Sequence, residues 1–129
     1  LLPITRLQSS VFPGTGPAGT ETVRIERLDG ILSNDDIESP ALLKLDVQGY
    51  ELEALKGCDR LLSAFNQVYA ECSLLELYEN QASAHDVIEF LTEHRFRLQG
   101  IYNVYAKDGA AVQGDFLFTQ STEPQNRNN

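Results

Sequence analysis

Asp46 and Glu71 are the residues whose type and position best suit chemistry. Asp46 stands where an apolar run over residues 41–47 gives out, and Gly49 and a helical segment follow it. An acid that ends an otherwise apolar strand is costly unless something uses it. Glu71 stands at the C-terminal end of a second apolar stretch, residues 67–72. Carboxylates at the ends of neighbouring parallel strands reach one substrate and can share a proton, a hydroxyl or a cation. The roles open to Asp46 are general base toward a substrate hydroxyl, substrate anchor and ligand to a metal ion. The plain structural alternatives are a helix cap for Asp46 and a buried ion pair with Lys44 or Arg95 for Glu71.

Further polar residues gather around these two. Gln48 and Gly49 form the turn after Asp46, and Gly49 is read as a backbone requirement, a close approach or a positive φ. Glu51 falls in the first turn of the helix that follows, where a negative charge suits the dipole. Asp115 begins the last strand beside the same cleft. Gln48, Gly49, Glu51 and Asp115 are therefore the substrate-side candidates. His85 and His94 have no evident partner and read as surface residues. Tyr69, Tyr78, Tyr102 and Tyr105 have rings able to stack on a sugar or an adenine, though packing is the ordinary use of each.

The elements that must position these groups follow from periodicity. Residues 9–21 hold three glycines and two prolines and read as a loop. The Gly14–Thr15–Gly16 step has neither a strand before it nor a helix after it, so it is no phosphate cradle. Residues 22–27 alternate like a half-buried strand, and residues 28–32 suit one helical turn. Residues 34–40 are a polar loop. Residues 41–47 read as a strand covered on both faces. A helix over residues 50–56 turns Leu52 and Leu55 inward, with Gly57 as its C′ residue, and a second helical piece over 59–64 buries Leu61 and Leu62. The strand over 67–72 comes next. Ser83 and Asp86 form a capping box for an amphipathic helix whose stripe is Val87, Ile88, Phe90 and Leu91, with Arg95 in its last turn. Asp108–Gly109 then joins two strands, 98–106 and 112–119, into a hairpin with Phe116 and Phe118 on one face. Residues 120–129 are polar and are expected to be a disordered tail.

Composition narrows the function. The 129-residue chain carries a net charge of −9, which gives no electrostatic support to a nucleic-acid or anionic-membrane partner. No apolar run reaches the ~20 residues of a membrane span. Cys58 and Cys72 match no zinc spacing and read as reduced core residues of a cytoplasmic protein.

In sequence, KLDVQGYELEALKG, VYAECSLLELYENQ, DVIEFLTEHRFRLQGIYNVY and GDFLFTQ resemble consecutive signatures of the FkbM-type methyltransferases, and RLDGIL resembles that family's lead-in. The likeness runs over roughly residues 22–119, with 1–21 as a loop leading in. Glutamine stands at position 48, where the commoner form has glutamate although glutamine also occurs, which weakens any charge-dependent role there. The resemblance implies an α/β fold: the C-terminal half of a class I methyltransferase Rossmann-like sheet, parallel strands followed by an antiparallel hairpin. It implies S-adenosylmethionine as cofactor of the complete domain, with no metal ligands assigned. The acceptor would be a hydroxyl on a sugar, polyketide or similar small molecule or glycan. Nothing before residue 22 supplies the glycine-rich turn and ribose-binding acid of that family. The chain is therefore expected to carry the substrate side and one wall of the cofactor cleft, to be inactive alone, and to self-associate through an uncovered strand edge. The rival expectation is a non-catalytic α/β binding or assembly module.

Overall fold

The computed structural model describes residues 2–121. Its centre is a four-stranded mixed sheet in the order β1-β2-β4-β3. The strands are β1 (Leu42–Leu45), β2 (Gln67–Ser73), β3 (Phe96–Lys107) and β4 (Ala110–Gln120). β1 and β2 are parallel, and β4 runs antiparallel to both β2 and β3. Three α-helices accompany them: α1 (Arg6–Val11), α2 (Glu51–Lys56) and α3 (Ala84–Glu93). A 3-10 segment, Asp59–Ala64, links α2 to β2.

Alternation along the strands sorts the sheet into two unlike faces. Leu45, Val68, Ala70, Cys72, Phe116 and Phe118 point to one side and are buried against Leu55, Leu61, Leu62, Val87 and Leu91 of the helical layer. Each fully buried Leu or Phe contributes roughly 1.5–3 kcal/mol to holding this layer on the sheet. Lys44, Tyr69, Glu71 and Asp115 point to the other side, which no described helix covers. β1 is thus not sheathed on both faces as its apolar run suggests, for Leu42 is 55% exposed.

The helix signals behave as their chemistry predicts, with local exceptions. Ser83 and Asp86 close a capping box at the start of α3. Arg95 lies beyond the helix with φ 65°, because the last turn ends at His94. Gly57 takes an ordinary helical φ of −72° and is no left-handed cap. Asp108 and Gly109, at φ 52° and 81°, make the hairpin turn the two strands require. Both cysteines are free and buried, and burial pushes their thiols up, Cys58 to about 11 and Cys72 to about 12.

Three sequence expectations give way. Residues 22–27 form no strand, and Val23 and Ile25 are 59% and 63% exposed. Their alternation finds no partner strand, and an unpaired strand gains nothing for its backbone. The lead-in over 1–21 is not all loop: α1 starts at a Thr5 cap and buries Gln8 and Val11 against Leu77, Tyr78 and Val112. Gln120 belongs to β4 rather than to a tail, while residues 122–129 lie outside those described.

The segment before β1 is anchored by one charge. Asp29, its side chain 1% exposed, accepts from Arg27 Nε at 3.0 Å and Nη2 at 2.8 Å, and from the Arg60 backbone N–H at 3.4 Å. Arg27's hydrogen bond, ahead of the Arg60 contacts, holds this carboxyl down at about 2. A depressed carboxyl contributes stability above its unfolded pKa of ~3.9 and loses it as pH falls through the folded value. Asp29→Asn should therefore melt well below the parent above pH ~4, and the gap should close toward pH ~2. Paired thermal melts across that range check this, and a pH-independent gap would rule out the charge as its cause.

Candidate functional site

The uncovered face of the sheet gathers the acids. Glu71 on β2 is registered directly opposite Asp115 on β4, and Asp115 in turn opposite Tyr102 on β3. Leu45 pairs with Ala70, and continuing that register by one residue sets Asp46 beside Glu71. Asp46, Glu71, Asp115 and Tyr102 thus form a row across all four strands. Neighbouring strands lie ~4.8 Å apart, so the three carboxylates fall within ~10 Å along the row. Asp115 is in mid-strand, not at a strand start, because β4 begins at Ala110, five residues before it.

Each acid is held by a neutral donor. Gln48 Nε2 donates to Asp46 at 2.9 Å, with Lys44 Nζ farther off at 3.4 Å. Gln113 Nε2 donates to Glu71 at 2.9 Å. Asp115 accepts from Tyr69 Oη at 2.9 Å and from Asn103 Nδ2 at 2.7 Å. Asp46 is the most open of the three, with its side chain 45% exposed. Glu71 sits in the middle and forms no ion pair among the described residues. Burial, then the charges of Asp46, Asp115 and Glu51, push its carboxyl up.

Glu51 is near but differently employed. It is 5% exposed, and its carboxylate accepts the backbone N–H groups of Val47 at 3.1 Å and Gly49 at 3.3 Å. Burial pushes it up, against those hydrogen bonds. It ties down the turn that carries Asp46. Gly49 meets both requirements read from the sequence: its φ is 89°, and a Cβ there would lie 3.0 Å from Tyr78 Cδ2 and 3.1 Å from Gln81 Cβ.

The tyrosines divide. Tyr105 packs on Phe12 with centroids 4.8 Å apart, and Tyr78 is buried under α1. Tyr69 and Tyr102 stand on the uncovered face, where Tyr102 is 47% exposed and lies across Gly100. His94 is not unpartnered: its Nε2 meets Asp59 at 2.6 Å and its Nδ1 the Phe90 carbonyl at 2.7 Å. His85 is exposed on the first turn of α3. Gln113 and Asn103 escape a motif search. Alternation in β4 puts Gln113 on the face of Asp115, but Asn103 reaches the row through an irregularity of β3 at φ 48° that has no sequence signal.

The lead-in glycines form no phosphate cradle. Gly14, Gly16 and Gly19 follow no strand, and a Cβ on any of them would meet nothing within 4 Å. A glycine needed for close approach to a ligand would sit against packed backbone. No group of three or more His, Cys, Asp or Glu suited to a metal occurs among the described residues. None of the described helices is long and apolar enough to cross a membrane.

Comparison with known proteins gives two findings. The family model described as the methyltransferase FkbM domain matches residues 4–98. A protein of Sinorhizobium fredii described as 2-O-methyltransferase NoeI is 31% identical over 102 residues, 79% of this chain and 37% of its own length. The chain thus spans little more than a third of that relative. No solved structure matches.

Proposed function

The chain belongs to the FkbM methyltransferase family, and from that membership we propose that it carries the acceptor side of an O-methyltransferase. The observation behind the proposal is the row of Asp46, Glu71 and Asp115 on one open face. Family membership brings S-adenosylmethionine as the methyl donor. Gly14, Gly16 and Gly19 do not fit it, and the acids of the row lie on the acceptor side.

What these residues do is handle the acceptor. An alcohol becomes a competent nucleophile as its proton leaves during attack, and a carboxylate within hydrogen-bond reach takes that proton. Asp46 has the accessibility for this. Glu71, whose carboxyl burial and the neighbouring acids push up, lies within reach of a second oxygen of the acceptor. Asp115, Asn103 and the ring of Tyr102 add a carboxylate, an amide and an aromatic face, the set that grips a polyhydroxylated ring. A sugar or similarly hydroxylated metabolite suits this surface, and the relative's name as a 2-O-methyltransferase supports oxygen as the atom methylated. Positioning supplies most of the acceleration when the donor is already activated.

The experiment is methyl transfer by the full-length protein from methyl-labelled S-adenosylmethionine to a panel of simple methyl glycosides. Label should appear on a hydroxyl oxygen. Incorporation only into nitrogen or carbon acceptors would refute the oxygen chemistry. The open space around Gly14, Gly16 and Gly19 favours one further expectation, that residues 1–129 alone bind the donor weakly. Titration calorimetry on this chain should give no micromolar isotherm. Micromolar binding would mean that these residues form a donor site by another route.

A further inference from the structure

On the reading of Asp46 as proton acceptor, we propose that Tyr78 is a positioning residue that fixes the Asp46 carboxylate through the amide of Gln48. The three side chains form a chain of hydrogen bonds. Gln48 Nε2 lies 2.9 Å from Asp46 Oδ1, and the Tyr78 hydroxyl meets Gln48 Oε1 in a short contact. The polarity of this chain is fixed by what each group can do. A carboxylate only accepts, so the Gln48 –NH2 must face Asp46. The amide oxygen is then left facing Tyr78, so the phenol must donate. A glutamine amide alone has two orientations, and only one of them presents a donor to Asp46. The carboxylate sets that orientation, and the tyrosine hydroxyl, donating to the amide oxygen, holds it in place.

Tyr78 is itself held so that it can do this. It is 9% exposed, its ring edge lies against Gly49, and its backbone N–H donates to Gln81 Oε1 at 2.6 Å. A bridge to Ile4 joins it to the chain start, and α1 brings Gln8, 6% exposed, against the phenol. Thr15 Oγ1 in turn donates to Gln8 Oε1 at 2.7 Å. Burial keeps the hydroxyl protonated, against a side-chain hydrogen bond from Gln8. Gln48 needs such support because its own backbone sits at φ 53°, a conformation uncommon outside glycine. The helix that the sequence hides, α1, thus becomes a brace for the acid that the sequence displays.

Two readouts test the proposal, one of them independent of methyl transfer. In the isotopically labelled full-length protein, the Gln48 side-chain amide protons should be widely separated in the NMR spectrum, with the proton facing Asp46 downfield. Tyr78→Phe keeps the ring on Gly49 and should collapse that separation without changing the fold's other signals. In the full-length protein, Tyr78→Phe should lower kcat by about 5- to 20-fold with KM within about twofold. The Gln48→Ala, Tyr78→Phe double variant should be no slower than Gln48→Ala alone, since both act through one amide. An amide pair unchanged by Tyr78→Phe overturns the proposal. So does additive loss in the double variant, which is the mark of a merely structural tyrosine. A collapsed amide signal with wild-type kcat also overturns it, while Asp46→Asn tells whether the acid reading itself has failed: an inactive Asp46→Asn leaves that reading standing, and an active one removes it.

Discussion

Asp46→Asn is expected to lower turnover of the full-length protein by about 10²-fold or more, the range for a lost acid–base group. The asparagine keeps shape and an acceptor oxygen but cannot take a proton. The Asp46 side chain is 45% exposed and its partners are Gln48 and Lys44, so the substitution should leave the melt nearly unchanged. Glu71→Gln should have a smaller but clear effect. Its stability sign is the reverse of the usual one. Because folding raises this carboxyl, the stability associated with it is present below the unfolded carboxylate range and is lost as pH rises through the folded value. At neutral pH a neutral glutamine escapes that loss, so Glu71→Gln should fold at least as well as the parent, and a fall in turnover cannot be laid to unfolding. Asp115, fixed by Tyr69 and Asn103, should act more on KM. Steady-state kinetics with matched melts decide the matter. Wild-type turnover in both Asp46→Asn and Glu71→Gln would remove the row from the chemistry.

The sequence displayed the parts of this arrangement that depend on short-range rules. The strand that ends just before Asp46, the capping box of Ser83 and Asp86, the Asp108–Gly109 reversal and the shared face of Phe116 and Phe118 all follow from spacing within a few residues. Placing Asp46 and Glu71 on adjacent parallel strands required only that a crossover join two apolar runs. Features set by distant contacts were hidden. Residues 22–27 alternate, yet alternation states a preference for pairing and not the presence of a partner. α1 has six residues, too short for helical periodicity to register, and it exists because Leu77, Tyr78 and Val112 offer it an apolar seat. Asn103 and His94 gained their partners only once β3 and α3 were folded against the rest.

Gly49→Ala tests how tightly the turn after β1 is built. At φ 89° any L-residue is strained, at roughly 1–2 kcal/mol. The added methyl would also press on Tyr78 Cδ2 at 3.0 Å and Gln81 Cβ at 3.1 Å. Neither neighbour yields easily. Gln81 Oε1 accepts the N–H groups of both Leu77 and Tyr78 at 2.6 Å, and Tyr78 is seated under α1. The total cost should be about 2–3 kcal/mol, which lowers Tm by roughly 6–15 °C in a domain of this size. Gly14→Ala is the matched control. Its φ is 88°, but nothing lies within 4 Å of its Cβ position, so it incurs the backbone strain alone. Gly49→Ala should therefore melt lower than Gly14→Ala, and the difference measures the contact with Tyr78 and Gln81. Function adds a second contrast. Displacing Tyr78 disturbs the amide that holds Asp46, and small misplacements of reacting groups cost up to ~10²-fold in rate. Turnover should fall in Gly49→Ala at temperatures where it is fully folded, and stay at the parental level in Gly14→Ala. Equal melts and equal turnover for the two alanines would mean that the turn does no more than reverse the chain, and that Asp46 is held in place without it.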